Sequence, residues 1–248
     1  MPWYRSIVEV PSSSLRVHGK NMSDHPSIDT RFIDDCVAGC AASHQRLLAT
    51  LSAISEDDID IWFATASELP NWTRAHVLAH IALNAESHVH LFAEASRGVQ
   101  GEQYPGGAKV RAQGVALAAE LPPRELVSRV RKSIYGLEAA WARSDASAWL
   151  GSGKNVVGTV MPITDLPLFR WREVEVHTSD LAIGHTFHQW DPLYVRLDLP
   201  RMVMRHTSRS PMGLSALPQE ALALSESERL AWLMGRTVPV GLSRVDGL

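Results

Sequence analysis

The sequence predicts a mainly α protein, a four-helix bundle followed by a small α+β C-terminal domain. Three observations carry this expectation. Four long stretches before residue 185 repeat apolar residues at 3–4 spacing. Each is bounded by helix start and stop signals. After Gly184 the chain becomes richer in proline and less periodic. The organisation expected is a poorly ordered extension over 1–27, a helical bundle over 28–188 and the C-terminal domain over 189–248.

The extension, MPWYRSIVEVPSSSLRVHGKNMSDHP, is rich in Ser, Pro and polar residues and has no continuous apolar core of a signal peptide. Met22 is a candidate start of the folded part. The first helix is expected over Asp29–Ile54, with Phe32, Ile33, Cys36, Val37, Cys40, Leu47, Leu48, Leu51 and Ile54 on one stripe. His44 lies near that stripe and reads as a helix-surface or core-edge histidine. An acidic loop follows. The second helix starts near Thr73, a capping residue, and stops at Gly98. It carries His76, His80, His88 and His90. Asn71-Trp72-Thr73 matches a glycosylation acceptor, but the capping role explains Thr73 better.

The loop GVQGEQYPGGAKV is glycine-rich yet lacks the preceding strand and the GK[ST] of a phosphate-binding loop. A shorter helix over Lys109–Glu120 leads to a third long one, opened by Pro122-Pro123 and striped with Leu126, Val130, Ile134, Leu137 and Trp141. A short extended piece is expected at Val156–Met161. The fourth long helix is capped at Thr164 or Asp165 and ends by Gly184. Beyond it, SESERLAWLMGR reads as a compact helix capped by Ser225, and TVPVGL as a strand.

Bulk properties exclude several functions. The 248 residues are 45% hydrophobic and 21% charged, with a net charge of −3, which is ordinary for a globular protein and unlike a nucleic-acid binder. No apolar run is long enough to span a membrane. The two cysteines, Cys36 and Cys40, are too few for a disulfide framework and read as small core residues. A cytoplasmic location is the expectation.

The chemistry-bearing pair is Glu173 and His177, at i, i+4 on the fourth helix, so both side chains leave one face about a turn apart. Most such pairs are solvated contacts. Here the helix walls a bundle, and the second helix offers histidines that could face it. Two imidazoles and a carboxylate suit zinc and leave a fourth position open to water or substrate. His76 and His80 compete for the third place, and spacing alone does not choose between them. Arg172 could orient a carboxylate or form an exposed ion pair. Asp180, one turn past His177, could accept a histidine ring N–H.

Two segments carry a resemblance. LPNWTRAHVLAHIALNAE resembles the second-helix signature of the DinB-like metal-binding bundles, and WREVEVHTSDL resembles the R-E-V-x-x-H-x-x-D-L helix of the mycothiol-dependent maleylpyruvate isomerase family. LAWLMGR and TVPVGL are similar to that family's C-terminal domain, and the likeness spans roughly residues 28–240. The resemblance implies that His80, Glu173 and His177 bind a divalent metal such as zinc, that Arg236 is the catalytic arginine, and that Asn84 is a pocket residue. It implies mycothiol as cofactor, a small-molecule substrate, and conversion of maleylpyruvate to fumarylpyruvate by reversible thiol addition. The YPGGAK loop departs from the family pattern. A mycothiol S-transferase, or a non-catalytic small-molecule binder on the same bundle, are the alternatives.

Overall fold

A computed structural model of the chain describes residues 29–209 and 216–245, so the extension expected over 1–27 lies outside the described residues. Asp29 caps the first helix by accepting the Phe32 N–H (3.1 Å), and α1 runs Thr30–Ser52 with its stripe of Ile33, Cys36, Cys40, Leu47, Leu48 and Leu51 buried. The stretch expected to be an acidic loop contains a short helix, α2 (Ile59–Ala64), which buries Phe63. Helix α3 (Arg74–Ala95) begins after Thr73, whose N–H is accepted by His76 Nδ1 (3.3 Å). It ends before Gly98, which has φ +70°.

Strand β1 (Gly101–Glu102) and helix α4 (Gly107–Ala119) lead to α5 (Pro123–Arg143), with proline in its first turn. Helix α6 (Ala146–Trp149) precedes β2 (Ser152–Lys154) and β3 (Val160–Pro162). The three strands form a small sheet ordered β1-β2-β3. Gly101 lies opposite Gly153 in the parallel pair, and Gly153 opposite Met161 in the antiparallel one. After one 3-10 turn comes α7 (Leu166–Asp180), then α8 (Pro192–Thr207), α9 (Gln219–Leu222) and α10 (Glu226–Leu233).

The bundle is α1, α3, α5 and α7. Helix α3 packs on α5, α4 and α7, and α1 packs on α7. One apolar cluster, around Leu78, Ile81, Val130, Ile134 and Val174, fills the half nearer α2. A second runs from Cys36, Leu168 and Trp171 into Tyr194 and Met202 of α8 and Leu230 and Trp232 of α10. No described helix is long and apolar enough to cross a membrane.

The mainly α class is as expected, but the C-terminal segment differs in detail. It holds the 16-residue helix α8, with Pro200 inside it. Proline removes one backbone donor there, and the helix is sustained by packing on α7, α1 and α10. The strand expected at TVPVGL does not form. Val238 is 53% and Val240 99% exposed, and Leu242 N–H closes a turn on the Pro239 carbonyl (3.1 Å). A strand needs a partner edge, and among the described residues the only sheet lies against the C-terminal end of α3, near Leu91 and Glu94.

One close approach sets the α1–α7 spacing. A Cβ on Gly39 would lie 2.1 Å from Trp171 Cη2, and Trp171 is fully buried with Nε1 donating to Ser43 Oγ (2.9 Å). Gly39→Ala is therefore expected to cost about 1–3 kcal/mol through overpacking. Gly136→Ala on α5, where a Cβ meets nothing within 4 Å, is expected to be neutral or stabilising. Urea midpoints of the two variants check the contrast.

Candidate metal centre

Helix α7 presents Glu173 and His177 on the face turned to α3, and α3 presents His80 back to them. One ligand atom from each lies within 4.8 Å of the others. His80 Nε2 is 2.7 Å and His177 Nε2 3.4 Å from Glu173 Oε2. The two imidazoles meet edge to face, with centroids 4.6 Å apart. His80 is 3% exposed, whereas Glu173 keeps 25% of its side chain open, so the site is reached from the carboxylate side. Trp72 stands edge-on to His80 at 5.8 Å.

The protonation of His80 and Glu173 suits a cation. Burial, helped by the neighbouring His177, lowers the His80 imidazole to about 4, which keeps it neutral as metal binding requires. Burial works against the Glu173 charge, but hydrogen bonds from His177 and His80 outweigh it and hold the carboxyl well below its ordinary value. Burial works against a charged His177, but Asp180 and Glu173 together, by hydrogen bonds and charge, outweigh it and raise the imidazole above its ordinary value, so a cation there would displace its proton. Two imidazole nitrogens and one carboxylate oxygen, converging with an open side, fit zinc or a similar divalent ion.

Partners behind the three side chains orient them. His177 Nδ1 is 2.8 Å from Asp180 Oδ2, which turns Nε2 toward Glu173. Asp180 is gripped in turn by Arg236, Nε to Oδ1 at 2.8 Å and Nη2 to Oδ2 at 2.9 Å, while Arg236 Nη1 donates to the Met234 carbonyl (2.8 Å). Arg236 thus reaches the centre through Asp180. Arg111 Nη2 lies 3.3 Å from His80 Nδ1. With Nε2 on a cation the ring proton moves to Nδ1, and that contact would have to open.

Geometry separates the two competing histidines. His76 Nδ1 is spent on the Thr73 cap, at 2.8 Å from Thr73 Oγ1, and His80 is the one that faces α7. Asn84, one turn on, is buried, and its Oδ1 accepts Arg170 Nη1 (2.9 Å). Arg172 does not face this centre. It forms a two-pronged pair with buried Asp198, tying α7 to α8. His44, expected at the core edge, is fully buried. Its Nδ1 pairs with Glu138 Oε1 (2.9 Å) and its Nε2 accepts Arg170 Nε (3.1 Å), and burial lowers it to about 4. Cys36 and Cys40 are buried free thiols, with Cys36 pushed up by burial to about 12, which makes them core residues and not nucleophiles.

The residue that sequence reasoning passed over is Arg170. It stands three residues before Glu173 and seven before His177, so helical spacing already put it on their face. Arg111 and Tyr104, from the loop and helix after α3, left no such signal.

A cavity of about 810 Å³ borders the centre on the Asp180 side. Arg236, Arg244, His185, Phe187 and Trp190 help to line it. Its wall includes Asp180 but not His80, Glu173 or His177, so Asp180 is what the cavity and the centre share.

The sequence profile of the mycothiol maleylpyruvate isomerase N-terminal domain matches residues 40–182. Two solved structures are similar in fold. One is a mycothiol-dependent maleylpyruvate isomerase, with 22% identity, 83% of this chain and 90% of that chain covered, and a TM-score of 0.71. The other is a histidine-to-alanine mutant described under the same name, with the same identity and coverage and a TM-score of 0.72. No curated protein matches the chain in sequence.

Proposed function

The chain belongs to the mycothiol maleylpyruvate isomerase N-terminal domain family, and we propose on that footing that it is a zinc- and mycothiol-dependent isomerase converting maleylpyruvate to fumarylpyruvate. The observation that carries the reading is the convergence of His80, Glu173 and His177 from two helices, within 4.8 Å and with one side open. Bound together there, the cation and the thiol would supply a thiolate at neutral pH for reversible addition to a conjugated double bond, which becomes free to rotate.

The rest of the work falls to this chain's own side chains. His80 offers a neutral imidazole nitrogen, His177 one whose proton a cation would displace, and Glu173 the charge that favours a cation. Asp180 fixes the His177 ring so that Nε2, and not Nδ1, faces the cation. Arg236 spends three N–H groups on Asp180 and Met234. Those that remain are available to a carboxylate in the cavity it borders, where a two-pronged guanidinium contact would stabilise developing negative charge. Asn84 acts by holding Arg170. The cavity itself, about 810 Å³ with aromatic and polar walls, has the size of a small-molecule site and is the space we assign to the thiol.

The test is an assay of purified protein with maleylpyruvate and mycothiol. Product formation without loss of thiol is the expected result. A stable thioether would make the protein an S-transferase instead, and absence of both chemistries and of thiol binding would leave a non-catalytic binder.

A further inference from the structure

The two imidazoles of the centre are backed by opposite chemistry. Behind His177 stands an acceptor. Its Nδ1 is 2.8 Å from Asp180 Oδ2, so a ring proton belongs on Nδ1 and Nε2 is the nitrogen left for a cation. Behind His80 stands a donor. Arg111 Nη2 lies 3.3 Å from His80 Nδ1, and a guanidinium carries N–H donors and no acceptor. Nδ1 must therefore accept, and a neutral imidazole that accepts at Nδ1 carries its proton on Nε2. That proton points at Glu173 Oε2, 2.7 Å away.

The proton thus sits on the nitrogen that a cation needs. For His80 to ligate through Nε2, the proton must pass to Nδ1. Nδ1–H would then face the Arg111 N–H, donor against donor. Charge acts in the same direction. Burial, first, and the Arg111 guanidinium among the lesser causes keep a second proton off the ring, and the same guanidinium charge opposes a divalent ion there. Metal-binding histidines are ordinarily backed by a carboxylate, a carbonyl or water. His177 follows that rule and His80 departs from it.

Arg111 is placed to leave. It lies near the start of α4, which opens on Gly106-Gly107, both in the left-handed region (φ +92° and +76°), and of the residues in that helix only Val115 and Ala118 are buried. Its guanidinium also stands 6.0 Å from the centre of the Tyr104 ring, a contact that does not depend on His80.

We infer that Arg111 is a positioning residue that sets the metal affinity of the centre through His80: it holds the imidazole in the tautomer that opposes ligation, so the Arg111–His80 contact and a divalent cation on Nε2 exclude each other. This rests on the metal reading above and deepens it. The centre takes up its cation only by displacing Arg111, and it binds more weakly than its three ligands alone would.

The experiment is zinc titration against a chromophoric chelator, on the full chain stripped of metal, together with 15N NMR of the histidine rings. The His80 signal is identified by its loss in His80→Gln. Before zinc is added, the wild-type His80 proton is expected on Nε2, and after zinc on Nδ1. Arg111→Met removes the donors and is expected to bind zinc about tenfold more tightly, the effect of one hydrogen bond to a charged group. Arg111→Gln, whose amide oxygen can accept from Nδ1–H, is expected to tighten at least as much and to move the proton to Nδ1 without zinc. Arg111→Lys, which again offers only donors, is expected to stay near wild type. A merely structural role would lower zinc affinity in all three and leave the tautomer unmoved. Thermal melts accompany the variants, and the wild-type tautomer remains a test if one fails to fold. A wild-type His80 proton on Nδ1 before zinc overturns the inference. So does zinc affinity in Arg111→Met and Arg111→Gln no higher than in a zinc-binding wild type, and that result keeps the metal reading. No zinc uptake by the wild type or by any variant overturns both.

Discussion

Replacing His80 by alanine is expected to strip the metal from the protein while leaving it folded. The wild-type chain should hold about one zinc after dialysis, as a three-ligand N/O site does, and His80→Ala close to none. The reason is geometric. Glu173 and His177 leave a single helix at i, i+4, and alone they are two ligands on one flexible face. His80 Nε2, 2.7 Å from Glu173 Oε2, is the donor that closes the site from the other helix. Folding should survive, because the apolar clusters of the bundle do not depend on that imidazole.

Two further variants grade the result. Asp180→Asn keeps all three ligands but disturbs the carboxylate that orients His177, and affinity is expected to fall about 10–100-fold. His76→Ala is expected to keep its zinc, because that ring serves the Thr73 cap. Metal content by elemental analysis reads all three, and full zinc retention in His80→Ala would remove the proposed centre.

The bundle was legible because burial imposes a period. The stripes from Ile33 to Leu51 and from Leu126 to Trp141 are the buried faces of α1 and α5, and the capping residues Asp29 and Thr73 mark the true starts of α1 and α3. Helix α2 was hidden because six residues in an acidic stretch are too few to show a period. Helix α8 was hidden by Pro200 and by a mixed face that packs on α7, α1 and α10 at once. TVPVGL carries strand propensity without an edge to pair with, and propensity yields to context.

In the centre, Glu173 and His177 are readable because both lie on one helix. His76 and His80 are not separable from spacing, since each is a turn from the other. What divides them is that the helix start consumes His76. Arg236 lies 56 residues from Asp180 in sequence, a pairing that local pattern cannot express. The burial of Arg170 on neutral acceptors is a tertiary fact in the same way. Its place on the face of Glu173 follows from sequence, but the absence of a touching carboxylate follows only from what α1, α3 and α5 set around it.

Removing Arg172 is expected to be the most destabilising single change in this region, and its cause lies on the other side of α7 from the metal. Asp198 is fully buried in α8. It accepts Arg172 Nε at 2.7 Å and a second contact from Nη2, and Tyr194 OH donates to it at 3.1 Å. Arg172→Met keeps most of the stem that packs near Phe169 but leaves that carboxylate with a hydroxyl alone. Breaking a buried pair by losing one partner costs about 3–5 kcal/mol, a large share of the roughly 5–15 kcal/mol that holds a typical domain folded. Denaturant unfolding should register it as a lower midpoint.

Arg172→Met combined with Asp198→Leu removes the stranded charge along with its partner and is expected to recover most of the loss, because two apolar groups of similar size replace the pair at little net cost. If the double variant is as unstable as the single one, Arg172 contributes through packing on Phe169 and not through charge. Zinc content should remain at about one per chain in the folded fraction of either variant, since Arg172 and Asp198 join α7 to α8 while Glu173 and His177 face α3. Stability and metal binding would then be lost independently by changes one residue apart on the same helix.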